Sequence, residues 1–127
     1  MESGSSGGKP DSVDLWRGEV VYSGIPKVIP DLLLERLAKL FRSFEYIDEA
    51  FFGQVCIPAR KELPHVAVQV KLDRSQRNLD RFQEEISPKI DLVVEEVLRK
   101  NETVEVIALL SKEPPLSGLK RFYHRST

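Results

Sequence analysis

The chain has 127 residues, a length that suits one domain with a single hydrophobic core. Apolar residues make up 41% and charged residues 31%, which favours a folded globule and excludes a disordered chain. The 19 Lys and Arg residues nearly balance the 20 Asp and Glu residues, so we expect no general attraction to nucleic acid or to anionic lipid. The apolar runs are far shorter than the ~20 residues that cross a bilayer, so no membrane span is expected.

The first residues are rich in glycine and serine and contain little that a core could bury. Residues 1–12 are therefore predicted to be a disordered linker or an expression tag, and residues 13–127 a single domain. Cys56 is the only cysteine, so no internal disulfide can form. Together with the lack of an apolar leader, this predicts a cytoplasmic location.

The first predicted elements are a strand and a helix. Residues 17–23 form a β-prone run that ends at a turn marked by Gly24 and Pro26. After Asp31, apolar residues recur three and four positions apart, as they do on one face of a helix. These residues are Leu33, Leu34, Leu37, Leu40, Phe41 and Phe44.

Two strands are predicted next, separated by a loop that contains two prolines. Residues 46–57 carry aromatic and β-branched side chains and end at Pro58. Residues 65–72 alternate strictly, so one face of that strand is buried and the other is at least partly solvated. The apolar face carries Val66, Val68, Val70 and Leu72.

An apolar stripe predicts a second helix over residues 75–100. Pro88 interrupts this stripe, and we expect a kink or a break there because proline clashes with the carbonyl four residues back. Residues 103–110 are predicted to form a further strand. The chain closes with a segment rich in aromatic and basic residues, 119–125.

The predicted element order is strand, helix, strand, strand, helix, strand. The usual pairing and handedness rules fold this order into a four-stranded antiparallel sheet with both helices on one face. We therefore predict an α+β domain of the ferredoxin-like class, β-α-β-β-α-β.

In such a fold, the sheet face opposite the helices is open, and about half of its residues are apolar. Strand alternation assigns to it Phe52, Gln54, Cys56, His65, Ala67, Gln69, Glu105, Ile107 and Leu109. An exposed patch of this kind favours a protein partner or self-association. An equally weighted alternative is that the Phe122-Tyr123 segment or the region of Trp16 folds over this face.

The sequence gives little support for catalysis. Cys56 and His65 are candidates for a thiol nucleophile and its base on neighbouring strands, but ordinary structural roles are favoured because no third orienting group accompanies them. Cys56, His65 and His124 lack the spacing of a metal site, and the glycines form no phosphate-binding loop. We therefore expect no enzyme activity, no cofactor and no bound metal.

Several short motifs occur between residues 17 and 125. They are the Gly24-Ile25-Pro26 turn, the helix with Leu33, Leu34, Leu37 and Phe44, the run Ile47-Asp48-Glu49-Ala50-Phe51, the pair Pro64-His65, and the closing Phe122-Tyr123-His124-Arg125. Together they resemble the C-terminal domain of the SseB family, named for enhanced serine sensitivity. Arg121 stands where that family usually has proline, and the SseB N-terminal domain that often precedes this one is absent from the sequence.

The resemblance implies a bacterial, cytoplasmic protein connected with serine sensitivity and with a rhodanese-like sulfurtransferase, and it brings no established catalytic residues. We expect a non-enzymatic interaction or regulatory module. The alternatives are an amino-acid-sensing domain and, less favoured, a thiol-dependent enzyme using Cys56. The residues predicted to contact a partner are Phe52, Gln54, His65, Gln69, Ile107, Tyr123 and Arg125. A missing N-terminal domain is a further candidate for covering them.

Overall fold

The computed structural model describes residues 12–61, 63–73, 76–98, 104–109 and 113–125. The strands are β1 (Ser12–Trp16), β2 (Glu19–Gly24), β3 (Ile47–Cys56), β4 (His65–Leu72), β5 (Val104–Leu109) and β6 (Lys120–His124). The helices are α1 (Asp31–Phe41), α2 (Gln76–Arg81) and α3 (Ser87–Val97), with a π-helical turn (Phe82–Ile86) between the last two and a short 3-10 turn (Pro58–Arg60) after β3. The predicted linker lies outside the described residues, except that Ser12 begins β1.

The six strands form one mixed sheet in the order β1-β2-β3-β4-β5, with β6 beside β3. Neighbours from β1 to β4 run antiparallel, whereas β5 runs parallel to β4. One edge of β3 is shared by two strands placed end to end: β6 pairs with residues 49–52 and β2 with residues 54–56.

The predicted α+β character is confirmed, but the four-stranded antiparallel ferredoxin-like sheet is wrong. The described sheet has two additional strands, β1 and β6. Its β4–β5 pair is parallel, because the long helical connection between these strands returns the chain to the starting end of β4. The predicted strand over 17–23 corresponds to β2, which pairs antiparallel with β3.

Of the kink or break predicted at Pro88, no break occurs: helical residues continue from Gln76 to Val97, and the change before the proline is a π-helical turn. The π-helical turn ends at Ile86, and α3 starts at Ser87 with the proline in its first turn. The Ser87 N–H donates to the Phe82 carbonyl five residues back, so the wider π-helical turn accommodates the proline that follows. Phe82, Ile86 and Ile90 remain buried across the junction, so the change in helical pitch keeps the apolar stripe on the sheet.

The first core lies between the helices and one face of the sheet. It contains fully buried residues of α1, such as Leu33, Leu37 and Phe41, packed with β4 residues Val68 and Val70. These are the apolar faces that the three-and-four spacing and the strand alternation predict. No helix among the described residues combines the length and hydropathy of a membrane span.

A second, smaller core covers the other face of the sheet. Its buried members are Val21, Val55, Ile57, Ala67 and Leu116, with Trp16 and Leu119 packed against them. The sheet curls over this core, so that Arg17 at the β1–β2 turn donates to the carbonyl of Ala108 in β5 at 3.3 Å. The central strands β3 and β4 therefore carry buried residues on both faces of the sheet.

Candidate functional site

The side-chain alternation predicted for β3 is wrong by one residue. Phe52 pairs with Val68 on the helical side of the sheet and is 3% exposed, whereas its neighbour Phe51 pairs with Gln69 on the other side. Gln54 pairs with Val66, also on the helical side. The pairing of β3 with β4 is irregular between Ile47 and Glu49. A one-residue slip of this kind moves every later side chain of a strand to the opposite face, and Phe52 and Gln54 therefore lie on the helical side.

Three of the predicted residues do share the face opposite the helices. Gln69 pairs with Ile107, and His65 begins the same strand as Gln69. His65 Nε2 lies 2.7 Å from Glu105 Oε1, and Gln69 is fully buried. The expectation that this face is open is therefore wrong, since chain segments of the same molecule cover Gln69.

The last two predicted residues lie at the other end of the sheet. Tyr123 pairs with Ala50, is 6% exposed, and its ring stands edge-on to Phe41 at 5.8 Å between ring centroids. Burial raises the pKa of the Tyr123 hydroxyl. Arg125 bonds the Asp48 carbonyl through its backbone N–H and lies 3.3 Å from the Asp48 carboxylate. The structure therefore does not assemble the seven predicted residues into one surface.

Residues 113–119, which we call the cover segment, occupy the sheet face that we expected to be open. Glu113 forms a two-point ion pair with Arg17, with Nε–Oε2 at 2.6 Å and Nη2–Oε1 at 2.5 Å. This hydrogen-bonded pairing raises the pKa of Arg17 above its ordinary value. The backbone N–H of Leu116 donates to Gln69 Oε1 at 2.9 Å. Two regions were predicted as alternatives to cover this face. The Trp16 region does pack against the second core, whereas Tyr123 of the Phe122-Tyr123 segment lies in the first core, on the helical side.

A cavity of about 120 Å³ remains between the β1–β2 hairpin and the sheet. Its apolar wall includes Val55 and Ile107, and its charged rim carries Arg17, Arg60 and Glu105. Each rim charge already has a partner: Glu113 for Arg17, Glu19 for Arg60 and His65 for Glu105. The cavity can accept a small polar molecule only in competition with these ion pairs.

The outer face of the β1–β2 hairpin is the most exposed apolar surface on a described strand. Val13 pairs with Tyr22 and Leu15 with Val20, and each pair points away from the second core. The exposed fractions are 61% and 37% for the first pair and 77% and 47% for the second. We call these four residues the hairpin face. Sequence reasoning missed it because residue 12 was assigned to a linker and β1 was not recognised.

The proposed thiol site does not form. Cys56 pairs with Tyr22 and shares the helical side of β3 with Gln54, whereas His65 pairs with Val55 on the opposite side. Successive residues of a strand point to opposite faces, so the Cys56 and His65 side chains are separated by the sheet. Within the ranges that the structure describes, no three His, Cys, Asp or Glu side chains gather as a metal site would require.

The fold and these surfaces define a small α+β domain with a curled mixed sheet, covered on one face by helices and on the other by its own hairpin and cover segment. No family model, no curated protein and no solved structure matches the chain.

Proposed function

We propose that this chain is a non-enzymatic interaction module that docks a protein partner through the hairpin face. The observation that carries the proposal is the pair of exposed apolar cross-strand contacts, Val13 with Tyr22 and Leu15 with Val20. Soluble domains rarely expose several large apolar side chains side by side unless a partner covers them. Burial of this surface would supply the favourable free energy of association.

The hairpin face is held in a fixed position, which suits a binding surface. On the opposite side of the hairpin, Asp14 accepts bonds from the Ser117 N–H at 3.0 Å and from its hydroxyl at 2.8 Å. Arg17 is paired with Glu113 at the hairpin turn. A partner would therefore meet a preorganised surface and would not have to order a loose loop on binding.

The partner that fits this surface best is a second copy of the chain. The four side chains of the hairpin face carry no charge, so two copies can bring these faces together without like-charge repulsion at the centre. An isologous, two-fold contact of this kind closes on itself and gives a dimer.

Leu15→Lys is expected to abolish self-association, because it places a charge at the centre of the hairpin face. Sedimentation equilibrium over a concentration series should show a monomer–dimer equilibrium for the wild-type chain and a monomer for the variant. Leu92→Lys is the matched control, since Leu92 is 59% exposed on α3, away from the hairpin. A wild-type chain that stays monomeric at every concentration, or a Leu15→Lys variant that still dimerises, contradicts the proposal.

The cavity beside Arg17 favours a second candidate function, the sensing of a small amino acid. Its rim presents Arg17, Arg60 and Glu105, which could bind the carboxylate and ammonium groups of a zwitterion by exchanging their partners Glu113, Glu19 and His65 for it. The cavity of about 120 Å³ beside these charges suits a small amino acid. The link to serine and the bacterial source rest on the SseB resemblance alone.

Calorimetric titration with L-serine tests this second candidate. Binding at this cavity predicts measurable heat with the wild-type chain and its loss in Arg60→Ala, which removes one rim cation. Ser43→Ala on the surface after α1 is a control that should bind as the wild type does. The absence of heat and of any thermal shift with serine at millimolar concentration would exclude serine as the ligand.

A further inference from the structure

A groove of about 420 Å³ opens between α1 and β6, on the helical side of the sheet. This volume lies within the ~300–1,000 Å³ range of ligand-binding clefts and exceeds that of the cavity beside Arg17. The floor of the groove is apolar and is formed by Leu34 and Ala38 of α1 and by Phe122 of β6. The groove shares no residue with the hairpin face or the cover segment, so it is a separate surface.

An irregular step in the pairing of β6 brings Phe122 to this floor. Arg121 and Tyr123 pair with consecutive residues of β3, so Phe122 between them has no partner there. Adjacent residues of a regular strand point to opposite faces, but here the rings of Phe122 and Tyr123 both contact Phe41. The Phe122 ring also stands edge-on to Phe52 at 6.1 Å between centroids. It is only partly buried, so a ring held in place by its neighbours keeps one side open to the groove.

The rim of the groove carries more positive than negative charge. Arg36, Lys39 and Arg42 follow one another at three-residue spacing along α1 and its C-cap. Glu35 is the one acidic side chain among the described residues that line the groove. Arg36 is paired with Glu96 at 3.0 Å, whereas no carboxylate of the described chain lies within ion-pair distance of Lys39 or Arg42. Cations this close on a helix repel one another, so an anionic ligand would lower the free energy of the arrangement.

We propose that this groove binds a short acidic peptide segment of a partner protein, with one apolar side chain on the floor and carboxylates beside Lys39 and Arg42. The apolar floor gains free energy only from a ligand that buries apolar surface on it, which a phosphate backbone does not. The formal charge of −1 on the whole chain also provides no general attraction for polyanions. A peptide that combines carboxylates with a single large apolar residue matches both the rim and the floor.

The test measures fluorescence anisotropy of the rhodamine-labelled peptide Gly-Glu-Glu-Leu-Glu-Glu-Gly with the full chain. The wild-type chain should bind it saturably, and Lys39→Gln/Arg42→Gln should bind it about tenfold more weakly, because two charge pairs are lost. Glu35→Gln removes the acidic side chain of the rim and should bind the peptide more tightly. Lys27→Gln/Lys61→Gln is the matched control, since it removes two exposed cations that do not line the groove.

Two further measurements separate the apolar floor from charge alone. The same peptide with serine in place of leucine keeps every carboxylate but should bind about tenfold more weakly, because it buries no large apolar side chain. Ala38→Arg adds a cation but places a long side chain over the floor, so it should weaken binding of the leucine peptide. Leu15→Lys on the hairpin face should bind the peptide as the wild type does, which keeps this proposal separate from dimerisation.

Circular dichroism establishes that each variant is folded, and Lys39→Gln/Arg42→Gln decides the question if Ala38→Arg unfolds. A wild-type chain that does not bind the leucine peptide, or a Lys39→Gln/Arg42→Gln variant that binds it equally well, overturns the proposal. Equal binding of the leucine and serine peptides would show a surface that attracts any anion and has no apolar site. Tighter binding of a labelled oligothymidylate than of the leucine peptide would assign the groove to nucleic acid instead.

Discussion

Phe41→Ala is expected to lower the free energy of unfolding by about 3–5 kcal/mol, the usual cost of truncating a buried phenylalanine. Phe41 is fully buried at the end of α1. Its ring contacts Phe122 at 6.3 Å and Tyr123 at 5.8 Å between centroids, so it joins α1 to β6. Removing the ring leaves a cavity and also removes its contacts with the Phe122 and Tyr123 rings of β6.

Urea unfolding followed by circular dichroism measures this loss, with the slope of the free energy against urea concentration compared between variants. Phe44→Ala is the matched control, since Phe44 is only partly buried and lies beyond the end of α1. We expect the control to cost about half as much or less, because less apolar surface and a smaller cavity are involved. Equal losses for the two variants would show that Phe41 is not the central residue of this core.

The helical half of the fold could be predicted from the sequence because its signals are local. Leu33, Leu37 and Phe41 follow the helical period, and all three are fully buried in the core they predict. Val68 and Val70 alternate as a half-buried strand does, and they face those helical residues. These patterns depend only on neighbours along the chain, so no knowledge of the sheet order is needed to interpret them.

The strand order could not be predicted, because it depends on contacts between distant residues. The edge of β3 is divided between β2 and β6, and no sequence pattern indicates that two strands will share one edge. In β1 the apolar residues Val13 and Leu15 are exposed, while Asp14 and Trp16 face the second core. This pattern is the reverse of the usual one, so alternation could not identify the buried face.

The candidate surfaces were predictable in part. His65, Gln69 and Ile107 were assigned to the correct sheet face, because β4 and β5 alternate regularly. Phe52 and Gln54 were not, since the irregular start of β3 shifts its alternation. The cover segment has a local signal in Pro114-Pro115 and Gly118, which indicates an irregular connection, but nothing in that signal specifies the surface it contacts.

Gly118→Ala is expected to destabilise the chain by about 3 kcal/mol, combining the ~1–3 kcal/mol cost of overpacking with the loss of nearby hydrogen bonds. The new Cβ would lie 2.4 Å from the Ser23 carbonyl oxygen, 2.5 Å from its carbonyl carbon and 2.6 Å from its hydroxyl oxygen. Two of these atoms belong to the backbone of β2, so rotation of a side chain cannot relieve the contact. The cover segment must lift away, which breaks the Gly118–Ser23 bond and withdraws Leu116 from the second core.

Gly18→Ala separates this steric effect from the ordinary cost of replacing a glycine. Gly18 has φ of +83° at the hairpin turn and no atom within 4 Å of an added Cβ, so its replacement costs only the ~1–2 kcal/mol of left-handed backbone strain. Urea unfolding should therefore rank Gly118→Ala below Gly18→Ala in stability. Hydrogen exchange should show loss of protection at the Leu116 and Ser117 amides in the first variant alone. If Gly118→Ala unfolds at the wild-type midpoint with those amides still protected, the cover segment does not lie against β2 as the second core requires.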